Sequence, residues 1–263
     1  MERTGKGWWS GQRGEGPVIA TAIHDGHALR DEVAARMKLP EADRLREEDP
    51  FTGQAVAGMA THLIAHRSRF EVDLNRAREE AVYLDKEQSW GLDVWESRPP
   101  EDVVERSLAI HDAYYAHLGQ LLDAKVAEHG RICLLDVHSY NHRRDGPDAD
   151  PTPQDEAPDI NIGTFSMPRD RWAFLLDPLM EEVASFDFAG RRLDVRENVA
   201  FQGKGAQTRF VHERHPEHAC AIAFEFKKIY MDEWTGEPDP RALEAMRGLI
   251  DHLGAVARRI FEK

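Results

Sequence analysis

Cysteine, positive charge and long apolar runs are all scarce in this 263-residue sequence, and each scarcity removes a class of protein. Only Cys133 and Cys220 occur, both inside apolar runs (ICLLDV and CAIAFEF), so the expectation is two buried thiols in a reducing compartment rather than a disulfide framework. Acidic residues outnumber basic ones, 48 to 34, and no basic cluster interleaved with aromatics appears, so no nucleic-acid partner is expected. No apolar stretch approaches the roughly 20 residues that span a bilayer, and no membrane partner is expected either. The opening residues MERTGKGWWSGQRGEG lack the apolar core of a secretory signal. They read as a flexible lead-in over 1–16, followed by a single domain over 17–263 in a cytoplasmic protein. A net charge of −14 still permits an anionic small-molecule partner, because local arginines and not the global sum decide such binding.

What is present is an alternation of strand-like and helix-like segments. The run PVIATAI (17–23) has the length and β-branched content of a buried strand and ends on His24. Apolar spacing predicts a helix over 53–66 that feeds a short strand RFEVDL from Arg69. Residues 101–129 read as a long helix, with Glu101 and Asp102 at its positive end and Gly130 as its stop. RICLLDV is a second buried strand, again ending on a histidine, His138. Residues 143–158, charged and rich in proline, predict a long surface loop or lid. DINIGTF, a helix over 168–186, an irregular region through FQGKGAQTRF, the strand CAIAFEF and a final amphipathic helix complete the chain. This order predicts a three-layer α/β/α domain: a mixed, mainly parallel sheet with helices on both faces and ligands at its strand ends.

Two histidines at strand ends and the acidic run Glu47, Glu48, Asp49 supply the ligand types of a catalytic zinc site. Three other histidine groupings are weaker. His62 and His66 read as partly exposed helix residues. His212, His215 and His218 fall one residue short of HExxH, and Pro216 argues for a loop there. His142, Arg143 and Arg144 read as solvated loop residues. In RSRFEVDLNR, Arg69, Asn75 and Arg76 offer an anion clamp, although strand alternation sets Arg76 across from Arg69; a surface strand laced with ion pairs is the plainer alternative. Glu225 stands in an apolar strand where burial raises a carboxylate's pKa toward general acid-base use, unless Lys227 or Lys228 pairs with it.

Taken in order, AIHDGH, REEDPFTG, SRFEVDLNR, LLDVHS, PDINIGT and AFEFKKIYMDE resemble the N-formylglutamate amidohydrolase family, a branch of the zinc carboxypeptidase-like hydrolases. The resemblance spans about residues 17 to 234. It implies one zinc ion with His24 as first ligand and His138 as last, and a carboxylate ligand from the Glu48–Asp49 pair, with Asp49 favoured. The related carboxypeptidases carry an acid three residues after the first histidine, where this chain has His27. The resemblance further implies that Arg69 polarises the scissile carbonyl, that Asn75 and Arg76 receive a substrate carboxylate, and that Glu225 is the general base. The expected reaction is hydrolysis of a small acidic N-acyl amino acid, foremost N-formyl-L-glutamate to formate and glutamate in histidine breakdown. Another N-acyl amino acid or a short peptide is the alternative within the same chemistry, and a non-catalytic binding module is the alternative outside it.

Overall fold

The computed structural model describes residues 7–263. Seven strands, β1 (Trp9–Gln12), β2 (Val18–Ala22), β3 (His62–Ala65), β4 (Ile132–Tyr140), β5 (Ile160–Gly163), β6 (Val195–Glu197) and β7 (Ala219–Lys227), form one sheet in the order β1-β3-β2-β4-β7-β5-β6. β1 is antiparallel to β3 and β5 to β7; the other pairings are parallel. Seven α-helices accompany them: α1 (Asp31–Ala34), α2 (Glu41–Glu47), α3 (Thr52–Val56), α4 (Glu101–His129), α5 (Arg169–Ser185), α6 (Ala206–Arg214) and α7 (Pro240–Phe261). No helix of the described residues is long and apolar enough to cross a membrane.

Strand alternation divides the core into two layers. On β2, Val18, Ala20 and Ala22 join a cluster with α3, α5 and α7, whereas Ile19 joins the cluster built on α4 and on Val211 of α6. The sheet is therefore covered on both faces, which is why its central strands read as unbroken apolar runs. Helix α4 begins after Pro100 and ends at Gly130, whose φ of 74° is a left-handed conformation that glycine adopts at little cost. Cys133 and Cys220 are register partners on β4 and β7, both buried and both free thiols.

Several local expectations are corrected. The helix expected over 53–66 is instead the short α3, a turn, and strand β3, because a four-residue apolar run carries no period that separates helix from strand. His62 is accordingly a buried strand residue whose Nδ1 donates to the Met59 carbonyl at 2.7 Å. RFEVDL is not a strand: Glu71 and Val72 donate backbone bonds to Ser68 O, and Arg76 donates to Asp73 O, so the segment turns. All of its side chains but that of Arg69 are buried all the same, which explains its strand-like pattern. Within the expected lead-in, residues 9–12 form an edge strand; residues 1–6 lie outside the described residues. His212 sits in helix α6, which ends at Arg214, just ahead of Pro216. Its Nε2 accepts from Ala221 N at 2.9 Å, so the ring proton is on Nδ1, facing Ser166 Oγ at 2.9 Å. That tautomer cannot take a proton from the serine, and the pair ties α6 to β7 and to the chain before α5.

Candidate active site

Alternation along β4 and β7 builds the site. Ile132 and Leu134 of β4, and Ala219 and Ala221 of β7, face the α4 layer; two and four residues further on, the same face carries Asp136 and His138, and Ala223 and Glu225. The apolar layer stops where these polar groups begin, and a cavity of about 570 Å³ opens over them. His138 and Glu225 are register partners on adjacent strands. His24 arrives two residues beyond β2. The chain leaves β2 toward β3 on one side, whereas β4 is followed by β5 on the other, so the crevice lies at a switch point of the parallel sheet.

Asp49 is the centre of the polar cluster. His138 Nδ1 lies 3.0 Å and His24 Nδ1 3.4 Å from Asp49 Oδ2, and Ser139 Oγ donates to Asp49 Oδ1 at 3.2 Å. One donor atom from each of His24, Asp49 and His138 falls within 4.8 Å of the others, all three residues being buried. The backbone holds Asp49 there: its N–H donates to His24 O at 2.9 Å, and buried Lys228 Nζ donates to the carbonyls of Arg46 and Glu48 at 2.5 and 2.8 Å. Glu48, its neighbour, turns away; its carboxylate pairs with His27 Nδ1, accepts from Ser68 Oγ and lies 3.5 Å from Arg44. Of the two carboxylates left open by the sequence, the fold brings Asp49 to the imidazoles.

Each imidazole has a second carboxylate on its far nitrogen. His24 Nε2 bonds Asp73 Oδ1 at 2.7 Å, and His138 Nε2 lies 3.1 Å from Asp136 Oδ1 without the alignment of a hydrogen bond. This carboxylate–histidine pattern fixes ring orientation and raises the basicity of the inner nitrogen, as it does around metal ligands. Burial opposes ionisation of Asp49, yet hydrogen bonds from His138 and His24 outweigh it and hold the carboxyl well below the usual range. Burial likewise opposes charge on His138, but Asp136 and Asp49 push its pKa well above the ordinary value. The carboxylates thus favour positive charge at this point. Two imidazoles and one carboxylate, oriented and facing a cavity, fit a zinc-type divalent cation.

Around this core stand the other expected residues. Glu225 is buried, and desolvation pushes its carboxyl up to about 8, with His138 pulling down and Asp49 pushing up. Neither lysine beside it pairs with it: Lys227 Nζ bonds Gln154 Oε1 at 2.5 Å, and Lys228 is spent on carbonyls. Arg69 and Asp73, four residues apart on the turn, pair at 2.9 Å; Tyr83 Oη also donates to Asp73, and Arg69 Nε reaches Tyr83 Oη at 3.3 Å. Burial opposes charge on Arg69, but Asp73 outweighs it and raises the pKa beyond its ordinary value. The turn brings Arg76 to the same side, with Nε 3.9 Å from Asp73 Oδ2 and the side chain 38 % exposed, where alternation set it across. Asn75 lines the cavity, and its Oδ1 accepts from Gln207 N of α6 at 3.4 Å. Arg144, expected to be a solvated loop residue, lines the cavity 3.9 Å from Glu47.

Sequence reasoning gave no role to Asp73 or Asp136 in the site and weighed Lys228 only as a partner for Glu225. Asp136 had a usable signal, since it stands two residues before His138 in a strand and so shares its face. Asp73 and Lys228 had none, because their partners are set by a turn and by a loop that is distant in the chain.

A sequence model of the N-formylglutamate amidohydrolase family matches residues 16–231, most of the chain. The chain belongs to the N-formylglutamate amidohydrolase family. Among solved structures, it is similar to N-formylglutamate amidohydrolase from Ralstonia eutropha JMP134, with a TM-score of 0.69, 18% identity and 97% of each chain covered. It is also similar to a gene product of Agrobacterium tumefaciens, with a TM-score of 0.64, 15% identity, and 97% of this chain and 93% of that one covered. At such identities these two likenesses speak for the fold. No curated protein sequence matches. Family membership makes the chain an amidohydrolase by kind, and the cluster at His24, Asp49 and His138 is its candidate metal centre.

Proposed function

We propose that this amidohydrolase is zinc-dependent and hydrolyses N-formyl-L-glutamate to formate and L-glutamate, a step of histidine breakdown. The observation that carries the reading is the convergence of His24, Asp49 and His138 with buried Glu225 and with Arg69, Asn75 and Arg76 in one cavity of a chain with this family match. Zinc held by His24, Asp49 and His138 would supply a Lewis acid that acidifies water and polarises a carbonyl.

The side chains of the protein do the rest. Arg76 and the Asn75 amide receive a carboxylate of the substrate and set its scissile bond over the strand ends. Arg69, kept charged and rigid by Asp73, donates toward the carbonyl oxygen as negative charge gathers there. Glu225 takes a proton from the attacking water and passes it to the departing amine nitrogen, a role suited to a carboxyl that burial moves toward neutrality. A hydroxyl thus adds to the formyl carbon, the C–N bond breaks, and the proton leaves with glutamate.

The test is metal content and formate release on one purified sample. Stoichiometric zinc with formate from N-formyl-L-glutamate supports the reading. Zinc without turnover discards the substrate, and a sample that neither holds nor responds to metal discards the mechanism.

A further inference from the structure

Four arginines line the cavity, and three of them lie within 4.0 Å of a carboxylate: Arg69 and Arg76 beside Asp73, Arg144 beside Glu47. The fourth, Arg209 on the first turn of α6, makes no ion pair among the described residues. Its position is fixed by the helix beneath it. Ala206 N donates to Asn75 O at 3.0 Å and Gln207 N to Asn75 Oδ1 at 3.4 Å, so the start of α6 is fastened to the residue before Arg76. Tyr115, whose hydroxyl donates to Leu74 O at 2.6 Å, lies in the field of Arg209. Arg76 and Arg209 therefore flank the contact between residue 75 and α6, on one wall of the cavity. The first two amides of α6 are committed to Asn75, and Lys204, which also lines the cavity, lies over the Phe165 ring at 4.4 Å, so Arg209 is the guanidinium of that wall without a carboxylate partner among the described residues.

We propose that Arg209 is the specificity-determining residue of this cavity. Its guanidinium receives a second carboxylate, carried on the substrate side chain, while Asn75 and Arg76 hold the first. The preferred substrates are then N-acyl derivatives of acidic rather than neutral amino acids. The inference rests on the amidohydrolase reading above. Its physical basis is local: Glu47, Asp49, Asp73, Glu80, Asp136 and Glu225 line the same cavity and oppose a dianion unless each of its carboxylates meets its own cation, and an arginine without a carboxylate partner is a group able to supply the second one.

The experiment compares the zinc-loaded wild type with Arg209→Gln, a change at an exposed position where little stability is at stake. The ratio of kcat/KM for N-formyl-L-glutamate over N-formyl-L-glutamine should fall about 10- to 100-fold in the variant, the size of one charge-assisted hydrogen-bonded contact. An unchanged ratio overturns the assignment while leaving the amidohydrolase reading intact. Calorimetric binding of glutarate and of butyrate gives a readout without turnover. Glutarate should bind the wild type more tightly than butyrate does, and Arg209→Gln should erase the difference. That result in a protein that releases no formate would keep the subsite and discard N-formyl-L-glutamate as the substrate. Equal binding of the two acids by the wild type overturns the subsite.

Discussion

At the scale of single residues, the proposed reaction asks some groups of the site to hold a cation and others to move a proton. Glu225 touches neither imidazole by a hydrogen bond and faces the cavity, so Glu225→Gln should retain metal stoichiometry while kcat falls by about 100- to 10,000-fold, the range of a general acid-base group. Metal content and single-turnover rate on the same sample check this, and full activity in the variant removes Glu225 from the chemistry. Asp73 acts one step further out, through His24 Nε2 and Arg69. Asp73→Asn should lower zinc affinity by about 10- to 100-fold, as losses of the outer partner of a metal-bound imidazole do. Competition against a chelator reads it, and an affinity equal to wild type would mean that Asp73 serves Arg69 alone.

At the scale of elements, the wall of the cavity that carries Asn75 depends on how closely α6 approaches the turn over residues 68–76. Gly205 precedes α6 with an ordinary φ of −60°, so its lack of a side chain answers to space and not to backbone strain. A Cβ there would fall 2.1 Å from Asn75 Oδ1, a distance no contact tolerates. Gly205→Ala should push the Asn75 amide out of place and raise KM about tenfold, close to 1.4 kcal/mol, with a smaller change in kcat. Steady-state kinetics decide it, and an unchanged KM would show that Asn75 does not bind substrate. The same turn shows what a pattern of residues conceals: SRFEVDLNR has the composition of a strand, yet it turns, and Arg69 and Asp73 pair across four residues.

At the scale of the whole molecule, His212 links the two layers' stability to pH. Burial holds its pKa down at about 4, against 6.5 for an ordinary imidazole, and its neutral ring accepts from Ala221 N. A group whose folded pKa is depressed favours folding above the unfolded value. As pH falls from about 6.5 toward 4, the unfolded chain takes up a proton that the folded one refuses, and stability declines by up to roughly 3 kcal/mol. Chemical denaturation at pH 7.5 and pH 5 should show this fall, and His212→Gln should flatten that part of the profile at the cost of lower stability throughout. An identical pH slope in the variant would assign the effect elsewhere.

Much of the architecture was determined by the sequence alone, because its causes are local. Helix α4 appears over Glu101–His129 as spacing and Gly130 predict, and the long strands β4 and β7 follow their apolar runs. His24, His138 and Glu225 were legible as site candidates for the same reason: a polar group that ends or interrupts such a run needs a partner or a function. What only the tertiary structure decided were choices between chemically equivalent neighbours and contacts across long separations. Glu48 and Asp49 are adjacent carboxylates, and nothing in their order says which one meets the imidazoles. The backbone bond from Asp49 to His24 and the grip of Lys228, some 180 residues away, settle that geometry. The edge strand β1, the turn at Arg69 and the approach of α6 to Asn75 are likewise products of packing, since each depends on a partner that no local period can announce.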